Sequence, residues 1–303
     1  MKNKIKKLNL TKVLPKFVTE YPYIRTRFRV PIEITDIKNN KIKITYTNPR
    51  GGQPKSLVLN KYVEHTSEFL VGLGIYFGDG GKTELEITNS NPKVITYALN
   101  FLRMLGFVTK ELNYQLVLHE IYKDIITENE AKEFWKSHGI PHINSVHWHK
   151  KGSNKTLENH KNLPKKFGYL SIRYYSRLGG LVLYFLIKYV INNLQTKAEI
   201  IGFLQGAFAA EGSVLLQKNG DLMSVRYTTI SDEKEIIRNL LETISITTKD
   251  YGSDLGIVGK ENFLKLSNFE ILKIKEDTWS RFENGLKLLL EPKSTPGILP
   301  DSV

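Results

Sequence analysis

The sequence predicts an α+β fold in which one helix–strand unit occurs twice behind a β-rich, basic N-terminal extension. Three observations predict it. Two nonapeptides, GLGIYFGDG at 72–80 and LQGAFAAEG at 204–212, share glycine third, an acid eighth and glycine ninth. Each ends the first helix of the order helix, strands, helix, strands, helix, which appears twice. Residues 28–60 instead alternate apolar and polar side chains, as strands do. The boundaries expected are 1–65 for the extension, 66–195 for the first half and 196–303 for the second.

In the extension, PIEITDI and KIKITYTN read as strands joined at Lys38-Asn39-Asn40 and closed by Pro49-Arg50-Gly51-Gly52. The first half opens with an apolar helix from Ser67 to Phe77 that runs into the glycines of GDGG. Lys82 to Ser90 alternates as a strand, Pro92 to Leu105 is a helix ending at Gly106, and Val108 to Tyr122 is strand-like. ENEAKEFWKSHG is helical; a polar basic loop, the strand GYLSIRYYS and the helix LVLYFLIKYVINN follow. Thr196-Lys197-Ala198-Glu199 has the spacing of a capping box and opens the second half's first helix. SVLLQ and MSVRYTTIS are strands, DEKEIIRNLLETI a helix, LGIVG a strand, and ENFLKLSNFEI and TWSRFENGLKLLLEP helices.

Composition narrows the function. With no cysteine, disulfides, thiol catalysis and Cys-ligated metals are excluded. The longest apolar run, Gly179 to Ile191, carries Lys188 and is too short to cross a bilayer. MKNKIKKLNL lacks the apolar core of a secretion signal, so an intracellular protein that is not secreted is expected. Starting at Met1 without a Cys or Ser splice junction, the chain reads as free-standing rather than excised from a self-splicing precursor. Lysine and arginine number 44 against 31 acids, a net charge of +13 that favours a polyanionic partner. The surplus lies in two stretches: 15 basic residues against 4 acids in 1–65, and 8 against 1 in 141–186. Aromatic residues are mixed into the second stretch, which suits nucleic acid better than a plain solubilising tail.

The nonapeptides carry the sharpest chemistry. Gly74 and Gly78 in one, and Gly202, Gly206 and Ala210 in the other, recur four apart and fall on one helix face. Glycine inside a helix costs about 1 kcal/mol relative to alanine, so several in one helix need a reason, and close backbone contact is the simplest. Two helices packed through these faces bring Asp79 and Glu211 together at their C-terminal ends. Two carboxylates there repel each other and oppose the helix dipoles, and a divalent cation relieves both penalties. Hard oxygen donors favour Mg²⁺, with Mn²⁺ as a substitute, in a site able to hydrolyse a phosphodiester.

On these residues the chain resembles the LAGLIDADG homing endonucleases, in the monomeric form with two motifs, over about residues 66–290. The resemblance implies duplicated αββαββ halves packed through the two motif helices, sheets that form a saddle over duplex DNA, and metal bound by the last acid of each motif, here Asp79 and Glu211. Gly72 and Tyr76 stand where leucine or isoleucine is usual, and about 123–165 is an insert without a counterpart in the second half. The implied activity is a site-specific, Mg²⁺-dependent double-stranded DNA endonuclease, a hydrolase acting as a monomer on a long asymmetric target. The alternative is a catalytically inactive nucleic-acid-binding protein on the same fold, an intron RNA maturase or a DNA-binding transcriptional regulator.

Other residues are assigned around that reading. Family enzymes place a lysine near the metals; Lys260 is the candidate, with Arg177 the less clear equivalent in the first half. DNA-contacting candidates are Lys82, Glu84, Glu86, Thr88, Lys165, Lys166, Arg173, Arg177, Gln217, Arg226 and Thr228, subject to strand register. GDGGKT lacks the upstream glycine of a phosphate-binding loop, Tyr76 standing there, and a strand rather than a helix is expected after it. His147, His149 and His160 lack acidic or Cys partners at metal-ligand spacing and are expected at the surface.

Overall fold

The computed structural model describes residues 6–21, 24–46, 55–81, 83–149, 165–229 and 231–291, with the side chains of 19–30 and 231 outside that description. The closing segment 49–52, Lys82, His160 and the lysines at 150, 151, 155 and 161 therefore lie outside the described residues. The chain groups into two compact units, 1–211 and 212–303. The architecture is mixed α+β with mainly antiparallel sheets.

In the first unit, β1 (Lys7–Asn9) pairs with β6 (Tyr62–Glu64). β2 (Phe17–Tyr21), β3 (Ile24–Ile37), β4 (Lys41–Tyr46) and β5 (Lys55–Asn60) form an antiparallel meander. Lys38, Asn39 and Asn40 turn β3 into β4 between the paired Ile37 and Lys41, and Asn39 and Asn40 take the left-handed φ of 64° and 54° that so short a loop needs. Ile32, Ile42, Ile44, Leu57 and Leu59 are buried, and Asn60 donates Nδ2–H to the Met104 carbonyl at 3.0 Å. The extension is thereby fixed to the rest of its unit.

α1 (Ser67–Asp79) starts at Thr66, whose Oγ1 accepts from Phe69 N, and is buried from Phe69 to Phe77. A helix apolar on all sides belongs inside a core. α2 (Pro92–Leu105) is capped by Asn91 and ends at Gly106 with φ of 100°. Its Phe101 fills the space left by Gly72: a Cβ there would lie 2.2 Å from the Phe101 Cβ. A leucine is absent from this motif position because the neighbouring helix supplies the volume. Tyr76 likewise has a local reason, since its hydroxyl donates to the Gly81 carbonyl at 3.0 Å and ties down the loop after α1.

The first unit's main sheet has the order β7 (Leu85–Asn89), β10 (Tyr169–Tyr174), β8 (Asn113–His119), β9 (Ser145–His149). Gly80 adds an isolated antiparallel bridge to Ile87 on β7. After GDGG the chain thus enters a strand, as no phosphate-binding loop does. β8 is shorter than the sequence pattern suggests, because 109–111 and 120–122 wind into 3₁₀ turns. β9 lies within the stretch expected as a loop. It pairs parallel to the edge of β8, and α3 (Glu128–Ser137) supports the insert through Trp135, fully buried, whose Nε1–H bonds the Phe167 carbonyl at 2.9 Å. α4 (Arg177–Ile191) and α5 (Lys197–Glu211) complete the unit. Thr196 and Glu199 do form a capping box at the start of α5.

The second unit has the strand order β11 (Gly212–Leu216), β12 (Leu222–Thr228), β14 (Asp254–Ile257), β13 (Lys249–Tyr251). α6 (Ser231–Thr243) joins its hairpins, and α7 (Lys260–Asn268) and α8 (Glu276–Leu290) follow. β13 is too short and polar for its sequence to mark it. Val214, Val225, Tyr227, Leu255 and Ile257 bury the inner face with Ile237, Leu241, Phe263 and Phe282. The two sheets share a strand order once Gly80 is counted as the first strand of the first sheet and β9 as an addition to its far edge.

Candidate functional site

α1 and α5 pack with their backbones in contact. A Cβ at Gly74 would lie 2.1 Å from the Phe203 carbonyl oxygen, and one at Gly206 would lie 2.0 Å from that of Val71. Real Cβ atoms do not come so close, so only glycine fits at this crossing. Toward the C-terminal ends, a Cβ at Gly78 would lie 2.5 Å from the Ala210 Cβ and 3.2 Å from the Glu211 Cγ. Gly74, Gly78, Gly206 and Ala210 therefore all line one contact. The Glu211 side chain rests against the residue immediately before Asp79.

Asp79 and Glu211 are the last residues of their helices, and neither helix has a basic residue in its last turn. Both are half-buried. Asn89, at the end of β7, donates Nδ2–H to Asp79 Oδ2 at 2.6 Å and fixes the orientation of that carboxylate. Among the described residues no group of three or more His, Asp or Glu side chains forms a metal cluster. A pair of carboxylates still fits Mg²⁺, which takes one or two protein carboxylates and completes its octahedron with water and substrate phosphate. The hard oxygen donors, the like charge and the two helix C-termini all favour a dication there.

The remaining candidates divide between sheet faces and helix ends. Leu85 and Ile87 are fully buried, so Glu86 and Thr88 face away from the core. Arg173 on β10 lies opposite Glu86, which it meets through Nη2 at 2.6 Å and Nε at 2.8 Å. Burial is the largest influence and works against the Arg173 charge, but the bond and charge of Glu86 together with those of Tyr175 outweigh it and the pKa is raised. Glu84 precedes β7 and is exposed. Lys165, Lys166 and Arg177 are exposed, Arg177 as the first residue of α4. In the second unit Arg226 and Thr228 share the outer face of β12, and Thr228 Oγ1 donates to Asp254 at 2.8 Å. Gln217 is exposed just beyond β11, and Lys260 is the exposed first residue of α7. His147 and His149 are exposed on β9.

Sequence reasoning missed Asn89, Ser171, Ser224, Asp254 and Tyr251. A signal for the serines was present: LSIRY at 170–174 and MSVRY at 223–227 are echoes of one another.

No family model matches the chain, and no curated protein matches it. Among solved structures it is similar to the N-terminal LAGLIDADG domain of DUF199/WhiA, at 12% identity and a TM-score of 0.38, over 70% of this chain and 86% of that one. It is also similar to the homing endonuclease I-DmoI in complex with DNA and Ca, at 13% identity and a TM-score of 0.37, over 68% and 90% of the two chains. With I-DmoI in complex with DNA and Mn the values are 14% and 0.38, over 69% and 98%. Likenesses so slight bear on neither chemistry nor partner.

Proposed function

We propose that this chain is a site-specific, divalent-metal-dependent endonuclease of double-stranded DNA. The observation that carries the reading is the pair of acids ending two helices in backbone contact, with no basic residue in either last turn. Asp79 and Glu211 would hold Mg²⁺, or Mn²⁺ in its place. When bound, the metal would supply polarisation of a phosphoryl oxygen and acidification of a bound water. Asn89 keeps the Asp79 carboxylate turned toward its work, and the packed glycines keep the two acids at a fixed separation. Lys260 and Arg177, each opening a helix, are suited to phosphate contact. Lys165 and Lys166 add to the electrostatic attraction of a duplex.

The chain is read as a monomer of two unlike halves, 66–195 and 196–303, suited to an asymmetric target, with 1–65 adding affinity. An intron RNA is the alternative partner.

The test is cleavage of fragmented genomic DNA and a random duplex library with Mg²⁺, Mn²⁺, Ca²⁺ or chelator, followed by sequencing of the new ends. Discrete ends that require Mg²⁺ or Mn²⁺ are expected. Salt-sensitive binding of duplex or structured RNA without any cutting would replace the nuclease reading with that of a regulator or maturase.

A further inference from the structure

We propose that Arg173 and Arg226 are guanine-reading forks, one on each sheet, held in a set orientation by a repeated group of partners. The inference rests on the reading of the sheets as a DNA-binding surface and adds which base edge they recognise.

The two arginines occur in the echoed segments LSIRY and MSVRY, each two residues after a serine. Ser171 and Ser224 are each only 1% exposed, and they are two of just three buried polar residues among those described. On β-strands residues i and i+2 share a face, so each serine lies alongside its arginine and is roofed by it. Arg173 Nε donates to Ser171 Oγ at 3.1 Å, and Arg226 Nε to Ser224 Oγ at 3.2 Å. A carboxylate on the neighbouring strand completes each group. Glu86 is 2.6 Å from Arg173 Nη2, and Asp254 is 3.5 Å from Arg226 Nη1. A threonine braces each set: Thr88 donates to Ser171 at 2.9 Å and Thr228 to Asp254 at 2.8 Å.

Arg226 has one further support. Its guanidinium carbon lies 3.9 Å from the centre of the Tyr251 ring. That ring lies across Gly256, where a Cβ would come within 2.4 Å of Tyr251 Cε2. Glycine at 256 leaves room for the stacking platform under Arg226.

Immobilising an arginine costs side-chain entropy, and a carboxylate partner offsets its charge. Both are wasted on a phosphate clamp, which needs charge and tolerates a mobile chain. They suit recognition by shape. A guanidinium has five donors; Ser171 and Glu86 engage Nε and Nη2 of Arg173, with Tyr175 a further partner, while Ser224 and Asp254 engage Nε and Nη1 of Arg226, and a fork held in plane meets guanine O6 and N7 through two parallel bonds. The carboxylate adds discrimination, since it would repel a base presenting acceptors beside the guanine.

The experiment is selection and sequencing of duplexes bound by the full chain in the Asp79→Asn/Glu211→Gln background, with Arg173→Lys, Arg226→Lys and Tyr251→Leu added singly. The parent is expected to enrich a defined sequence. Arg226→Lys should lose about 10- to 100-fold of preference for guanine at one position, with the salt dependence of binding unchanged because the charge is retained. Tyr251→Leu should relax that same position, and Arg173→Lys a different one. Uniform weakening on all sequences, or unchanged guanine preferences in the lysine variants, would overturn the inference while leaving the DNA-binding reading intact. A parent that enriches no sequence would overturn both.

Discussion

Alanine at Gly206 and alanine at Gly202 are the same substitution four residues apart on α5, and they should act in opposite directions. At Gly206 the new Cβ would lie 2.0 Å from the Val71 carbonyl oxygen and 2.9 Å from Ile75 N. Ordinary contact begins at 3.4 Å, so α1 and α5 must part by about 1.4 Å at their closest point. Both partners are helical backbone, and no side chain can rotate to absorb the strain. Overpacking costs about 1–3 kcal/mol, here toward the upper end, and helix propensity returns about 1 kcal/mol. The net loss is therefore about 2 kcal/mol. At Gly202 the nearest atom is the Leu70 Cβ at 3.4 Å, an ordinary contact, and the propensity gain of up to about 1 kcal/mol stands alone. Thermal and urea unfolding of the two variants should show Gly206→Ala melting about 4–8 °C below the parent, and Gly202→Ala at or slightly above it. Equal shifts for the two variants would refute a helix crossing closed by glycine.

Two predictions concern residues around the helix ends. Asn89→Ala removes the 2.6 Å bond to Asp79 without touching the acid, and cleavage should fall about 10- to 100-fold while duplex affinity holds. Affinity falling in step with cleavage would assign Asn89 to binding instead. Glu199, at the start of α5, is opposed by burial but accepts N–H bonds from Gln195 and Thr196 and from Lys6, which together hold its pKa at about 2. His65, its pKa lowered by burial, adds an Nδ1 contact at 3.1 Å. A carboxyl whose pKa is depressed on folding stabilises above its ordinary value of 4.5, and that stability is lost as the pH falls toward 2. Glu199→Gln should therefore cost up to about 3 kcal/mol at pH 7 and progressively less from pH 5 to pH 2, read by urea unfolding at each pH. A cost independent of pH would place the effect in packing.

Much of this molecule is legible in its residue pattern, for reasons that differ from element to element. The glycine-spaced helices are readable because repeated glycine in a helix has a cost that only close packing offsets, and Gly74 and Gly206 do meet backbone. Asn39 and Asn40 announce a turn because few other residues accept positive φ. Pattern fails where pairing partners decide. β9 is a strand because β8 offers it an edge, and β13 because β14 does. The first strand after α1 shrinks to a bridge at Gly80, which no local propensity foretells. Register is a further step beyond pattern: Glu86, Thr88, Arg173, Arg226 and Thr228 face outward only because Leu85, Ile87, Val225 and Tyr227 are needed inside. Asn89 escaped notice because its importance lies in a bond made across a turn to Asp79, ten residues earlier.

In the proposed nuclease, Asp79 and Glu211 act together as one metal-dependent centre. Strand scission by the Asp79→Asn/Glu211→Gln protein, measured beside duplex binding on a target delivered by library cleavage, tests it most directly. All Mg²⁺-dependent cutting should be lost and binding preserved. Cutting that survives the double substitution at the same site would contradict it.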